Sequence, residues 1–111
     1  MRKITIIERE ENGSVISSCD LFVENKYGTI GNLRTEKSYL NQGYATSVLN
    51  DAERIADGLG LILISLRVLK GSFMAEWYRR LGYIFFSGDE NEKYEWLYKQ
   101  IKRKDNETPT E

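Results

Sequence analysis

Residues 33–59 read LRTEKSYLNQGYATSVLNDAERIADGL. They describe the end of a strand, a short polar loop and a long amphipathic helix. From Val48 the apolar residues fall at Val48, Leu49, Ala52, Ile55, Ala56 and Leu59, which keeps one face of a 3.6-residue period apolar. The helix therefore starts near Gly43. Helices usually place a carboxylate in the first turn, where it offsets the positive end of the dipole. No charged residue occurs here from Ser38 to Asn50, although 30% of the chain is charged. Glycine is a poor helix residue, and at a helix entry it bends the backbone or lets a ligand approach. Two readings are open. One is a helix start whose free N–H groups are left for an external anion. The other is an ordinary junction, with Asn41 as cap and Gly43 as turn former.

Downstream, Gly60 is placed to cap the helix, and Leu61 to Leu69, LILISLRVL, is nearly continuous apolar sequence. That pattern predicts a strand buried on both faces and parallel to a neighbour. The strand before the loop, the helix and this strand make a βαβ unit with a right-handed crossover. The helix N-terminus then lies at the carboxyl end of the first strand, where open α/β sheets commonly bind ligands. Upstream, Lys3 to Arg9, Val15 to Val23 and Thr29 to Thr35 read as three strands of an antiparallel meander. Asn12-Gly13 is a hairpin signal between the first two, and residues Asn25 to Gly28 make the second turn. Past the apolar strand, Ser72 to Leu81 reads as a second helix with Ser72 as N-cap. Its apolar side is Phe73, Met74, Trp77, Tyr78 and Leu81, and Gly82 ends it. Tyr83 to Ser87 and Tyr94 to Ile101 are two further strands around the polar turn Gly88 to Lys93.

The whole chain narrows the chemistry. At 111 residues it predicts one domain, spanning 1–101. Lys102 to Glu111 is all polar and holds the single proline, which predicts a solvated, disordered tail. The net charge is −1 with no basic block in the body, so nucleic acid is not the expected partner. Cys19 is the single cysteine; no intrachain disulfide is possible, and a reducing cytoplasm is the expected location. No histidine is present, which removes His triads, HExxH zinc sites and His general bases together. No apolar run approaches membrane-spanning length, and Glu8 interrupts the first one before it could serve as a signal peptide.

The glycine loop lacks the GK[ST] ending of a nucleotide P-loop and the GxGxxG spacing of a dinucleotide fold. A pyrophosphate remains compatible with it, because helix-terminal N–H groups hold phosphate without a lysine. NQGYATSVLNDAERIADGLG, the apolar strand after it, and then AEWYRRLGY resemble the GNAT superfamily of acetyl-CoA-dependent N-acetyltransferases. That family's loop has the form Q/R-x-x-G-x-G/A; Gly43-x-Ala45 followed by Thr46 fits its second half. Its later helix carries an aromatic residue or Leu, then Tyr, two variable residues and Leu-Gly-Phe or Leu-Gly-Tyr. Trp77-Tyr78-Arg79-Arg80-Leu81-Gly82-Tyr83 matches. The resemblance spans Thr29 to about Ile101, and the two N-terminal strands fit the family's strand order.

The resemblance implies an α+β fold of α/β/α layers. Its mixed, mostly antiparallel sheet runs βββ-α-β-α-ββ, with one parallel pair splayed around the cofactor. Backbone groups near Leu33 and Thr35 would pair with the pantetheine arm of acetyl-CoA. The loop Leu40, Asn41, Gln42, Gly43, Tyr44, Ala45 and Thr46 would hold the pyrophosphate through its N–H groups. Ser72 stands where the family often has a cofactor-binding Asn. Tyr78 would be catalytic, protonating the leaving thiolate; a hydroxyl of pKa near 10 stays protonated at neutral pH. On the residues alone, Tyr78 also reads as a core aromatic beside Trp77. There are three departures: Leu40 replaces the Q/R, Ser72 replaces the Asn, and the chain begins at the family's second strand. The segment before it normally builds a wall of the acceptor cleft, and a second subunit of a homodimer is one way to supply that wall. The implied reaction is acetyl transfer to a primary amine, in a small molecule or a protein lysine, with no metal and no membrane. The alternative is a CoA-binding or interaction module without catalysis. No general base is identifiable. Glu24 and Glu36 are the nearest carboxylates; Arg79 and Arg80 could attract the anionic cofactor, but on an exposed helix face they read as solvated charge.

Overall fold

The computed structural model describes residues 1–88 and 93–101. Three strands come first, β1 (Arg2–Glu11), β2 (Ser14–Glu24) and β3 (Tyr27–Thr35). Asn12 and Gly13 have φ of 51° and 81°, so both central residues of the turn are left-handed, as a type I′ hairpin needs. Glu11 then faces Ser14. The second hairpin is equally tight: Asn25 is left-handed at 57° and Glu24 faces Tyr27. The third strand therefore begins two residues before Thr29. Gly28, expected in the turn, lies in the strand. A Cβ there would stand 3.0 Å from the side chains of Leu21 and Leu61, so a larger residue would press on both leucines.

The chain continues as α1 (Tyr44–Gly58), β4 (Leu63–Leu69), α2 (Phe73–Arg80), β5 (Ile84–Gly88) and β6 (Tyr94–Gln100). Gly60, at φ 79°, ends α1, with Leu61 N–H returning to the Ala56 carbonyl at 3.0 Å. The six strands form one sheet in the order β1-β2-β3-β4-β6-β5. Only β3 and β4 are parallel, and they pair over just three positions, Tyr27 to Thr29 against Leu63 to Ser65. The α+β class and the mixed, mostly antiparallel sheet are as the sequence implies. Residues 89–92 of the expected turn and the tail 102–111 lie outside the described residues.

The two helices share one face of the sheet. Both crossovers, β3 to β4 and β4 to β5, step across the sheet in the same direction, so one handedness puts both helices on one side. Their buried residues Val48, Leu49, Ala52, Ala56, Ala75 and Tyr78 join Ile6, Cys19, Leu21, Ile30, Ile64, Leu66, Val68 and Leu97 in a single core. Fully burying a Leu or Ile side chain contributes about 1.5–3 kcal/mol, so this face dominates the stability. No helix among the described residues covers the other face; the layering is α/β on one side only.

That arrangement corrects the reading of β4 as buried on both faces. Ile64, Leu66 and Val68 are buried, while Arg67 and Leu69 are exposed. It also turns α2. Ala75 and Tyr78 face the core with Trp77 and Leu81 packed beside them, but Phe73 is 72% exposed and Met74 also points outward. An eight-residue helix lying over one strand has room for little more than two inward positions. Leu59, expected on the apolar face of α1, follows the last helical turn and is exposed.

Candidate active site

The loop ahead of α1 has the geometry of an anion site. Gly43 is the N-cap at φ 88°, no side chain caps the helix, and the first turn holds no acid. The first intrahelical bond runs from Ser47 N–H to the Gly43 carbonyl at 3.0 Å, so the N–H groups of Tyr44, Ala45 and Thr46 have no helical acceptor. A Cβ on Gly43 would meet nothing within 4 Å. The glycine is required by its left-handed backbone, and the space in front of it is open. Asn41 is left-handed as well and does not cap the helix.

Thr35, Leu40, Asn41, Gly43, Tyr44, Ala45 and Thr46 line a groove of about 220 Å³, closed opposite by Phe73, Met74 and Trp77 of α2. Leu33, Ser72 and Tyr78 line a second cleft of about 390 Å³ between β3 and β4. Met74 borders both. Gln42 lines neither; its amide donates to the Ser38 carbonyl at 3.5 Å.

The cleft exists because β3 and β4 stop pairing after Thr29 and Ser65. A bulge helps part them. Between Gly31 and Arg34, β3 advances one residue more than β2, and Asn32 takes the left-handed conformation at φ 53°. Asn32 Nδ2 donates to Asp20 Oδ2 at 2.7 Å. Ser72 caps α2 by accepting the Ala75 N–H at 3.1 Å, so its hydroxyl oxygen is already committed to the helix.

Tyr78 is 6% exposed. Its ring is tilted on Trp77 at 5.1 Å and edge-on to Tyr83 at 5.7 Å. Burial, with the Cys19 thiol nearby, pushes its hydroxyl up to about 12. The core reading and the cleft position thus hold together: the ring is packed, and the residue still lines the cleft. Burial likewise pushes Cys19 up to about 11, which makes it an inert thiol.

Neither Glu24 nor Glu36 lines the cleft. Glu24 sits at the β2–β3 hairpin, at the other end of β3 from Thr35. Glu36 precedes a 3-10 turn, Lys37–Tyr39, and accepts from Ser38. Arg79 is no solvated charge: its Nη2 donates to Glu95 Oε1 at 2.7 Å. Sequence reasoning also missed Arg9. Its guanidinium lies 6.0 Å from the Tyr39 ring and 5.6 Å from the Tyr44 ring, bonds the Tyr44 hydroxyl and pairs with Glu11. Tyr39 donates to Glu11 Oε1 at 2.8 Å. A cation from β1 is thereby fixed beside the loop, and no spacing within the loop's own sequence signals it.

The chain belongs to the GNAT acetyltransferase family, whose model matches residues 2–83. No curated protein matches it in sequence. Among solved structures it is similar to an acetyltransferase from Bacillus cereus, with 20% identity and a TM-score of 0.78, over 90% of this chain and 74% of that one. It is similar to an IAA acetyltransferase from the same species, with 19% identity and a TM-score of 0.76, over 90% and 79%. A PaiA N-acetyltransferase from Thermoplasma acidophilum, solved in complex with coenzyme A, aligns at 16% identity and a TM-score of 0.73, over 82% and 57%. Among the described residues no His, Cys, Asp and Glu group could hold a metal, and no helix is long and apolar enough to cross a membrane.

Proposed function

We propose that this chain is an N-acetyltransferase that moves an acetyl group from acetyl-CoA to a primary amine by direct attack. The observation behind this reading is an uncapped α1 N-terminus that lines one groove beside a cleft between parted parallel strands lined by Tyr78, with Met74 bordering both. When bound, acetyl-CoA supplies an activated thioester carbonyl. The N–H groups of Gly43 to Thr46 would hold its pyrophosphate. The edges of β3 and β4 freed beyond Thr29 and Ser65 present backbone groups to the pantetheine amides, with Leu33 and Thr35 on the β3 side. A strand N–H in the same cleft steadies the oxyanion that forms as the amine adds.

Tyr78 lines the cleft and would stand beside the departing sulfur. Its hydroxyl, pushed up to about 12, is a weaker acid than a thiol of ordinary pKa near 8.5. It therefore acts by donating a hydrogen bond to the developing thiolate rather than by giving up its proton outright. The amine reaches its neutral form through water, since no carboxylate among the described residues lines the cleft. That same absence favours a second reading, a CoA-binding module without turnover. Titration calorimetry with acetyl-CoA tests the cofactor, and thiol release in the presence of a panel of primary amines tests the reaction. Binding with amine-dependent thiol release supports the enzyme; binding without it supports the module; no binding removes both.

A further inference from the structure

We propose that Arg9, Glu11 and Tyr39 are positioning residues for acetyl-CoA: with Tyr44 they close a ring of hydrogen bonds around the two ends of the loop 40–43 and hold it in the shape that receives the pyrophosphate. The inference rests on the acetyltransferase reading of that loop. Four residues, Leu40 to Gly43, join the 3-10 turn Lys37–Tyr39 to α1. Asn41 and Gly43 are both left-handed, at φ 62° and 88°, and a non-glycine residue in that region is held there by its surroundings. The loop's own bonds are long. Leu40 N–H donates to the Lys37 carbonyl at 3.3 Å, and the Gln42 side chain to the Ser38 carbonyl at 3.5 Å. Both end on the turn that leads into the loop, and neither ties it to the sheet.

The start of the turn is fixed on β2, where Glu36 N–H donates to the Ile16 carbonyl at 2.7 Å. Beyond it, the hydrogen bonds to the sheet come from the two tyrosines that flank the loop. Tyr39, the last residue of the turn, donates to Glu11 Oε1 at 2.8 Å. Tyr44, the first residue of α1, accepts from Arg9 Nη1. Arg9 Nη2 bonds the other carboxylate oxygen, Glu11 Oε2, and the two tyrosine rings meet edge to face with centroids 5.9 Å apart. The ring of contacts is therefore closed, and β1 sets the separation of the loop's ends. The register of β1 against β2 shifts between Ile7 and Arg9 and again between Arg9 and Glu10; bulges of this kind re-aim side chains. Tyr39 and Arg9 hold the Glu11 carboxyl below its ordinary value, so it is ionised at neutral pH and offsets the charge of Arg9. The cluster acts through geometry: of its four residues only Tyr44 lines the groove. A loop already held in its bound shape loses less conformational freedom when the cofactor arrives.

The test uses the full chain and two probes, acetyl-CoA and S-acetylpantetheine, which lacks the pyrophosphate. Affinities are read from backbone amide signals in nitrogen–proton NMR, with Gly43 reporting the loop and Leu33 the cleft. Tyr39→Phe keeps the ring on Tyr44 and removes only the hydroxyl. Glu11→Ala opens the ring of contacts and also removes a negative charge from beside the loop, so a pure charge effect would tighten acetyl-CoA. Each variant is expected to weaken acetyl-CoA roughly 3- to 10-fold, the size of one net hydrogen bond, to leave S-acetylpantetheine unchanged, and to shift the Gly43 signal of the free protein. Tyr39→Phe is expected to add little in the Glu11→Ala background, where its acceptor is already gone. Undiminished acetyl-CoA binding in folded Tyr39→Phe, or tighter binding in Glu11→Ala, overturns the assignment. So does an equal loss for both probes, which marks a general effect on the fold, or a Tyr39→Phe loss of the same size with and without Glu11. Failure of the wild-type protein to bind acetyl-CoA removes the acetyltransferase reading itself and this inference with it.

Discussion

Arg79 of α2 donates from Nη2 to Oε1 of Glu95 on β6 at 2.7 Å, and Glu95 is 3% exposed. The pair clamps the helix that carries Tyr78 onto the sheet. The second carboxylate oxygen, Oε2, is buried without a partner among the described residues. Removing the arginine leaves a buried carboxylate with no other counter-charge among the described residues. We expect Arg79→Ala to cost about 2–4 kcal/mol, less than a fully buried pair because the Arg79 side chain is itself partly exposed. Urea denaturation measures this. A loss below about 1 kcal/mol, the level of a surface ion pair, means that the clamp contributes little.

Gly43 separates conformation from contact. Gly43→Ala strains a left-handed N-cap by about 1 kcal/mol but places its methyl in open space. The fold should survive with a small drop in Tm. Affinity for CoA should fall further than stability does, because the methyl stands where the proposed pyrophosphate site meets the backbone. Calorimetry on the folded variant decides it, and wild-type affinity in Gly43→Ala would take the pyrophosphate away from this loop.

Tyr78→Phe keeps the ring against Trp77 and Tyr83 and removes only the hydroxyl. A hydrogen bond made to developing charge is worth about 10²- to 10³-fold in kcat when lost, with little change in KM for acetyl-CoA. Because burial raises the hydroxyl to about 12, its ionisation should produce no fall in kcat below pH 10. Unchanged turnover in Tyr78→Phe would reduce the residue to packing.

The core should be sensitive to alkali. The Cys19 thiol is raised from 9.0 to about 11, and Tyr78 from 10.0 to about 12. Between each pair of values the folded state holds a proton that the unfolded state has lost, so stability falls as pH rises. Each group contributes a slope of about 1.4 kcal/mol per pH unit within its window. Melting temperatures from pH 7 to 11 should be level at first and decline from about pH 9. Cys19→Ala should flatten the first part of that decline, whatever it does to the absolute Tm. An equal slope in both proteins would show that the thiol stays protonated in neither state or both.

Local features of this chain were legible because their causes are local. Asn12-Gly13 makes a type I′ turn wherever it joins two strands. Gly43, Gly60 and Gly82 each occupy left-handed backbone, and the period of Val48, Leu49, Ala52 and Ala56 marks the buried side of α1 before any partner is known. The family motifs placed the loop and Tyr78 in the same way. What the tertiary structure alone decided depends on elements meeting across the sheet. Both helices fall on one face because two crossovers run in one direction, which leaves Arg67 exposed in a strand that reads as wholly buried. Arg9 reaches Tyr44 because β1 passes beside α1. Asp20 holds Asn32 because a bulge in β3 shifts the register by one residue. Periodicity within a segment records which side is apolar; register and crossover direction, which it does not encode, determine what that side and its opposite will touch.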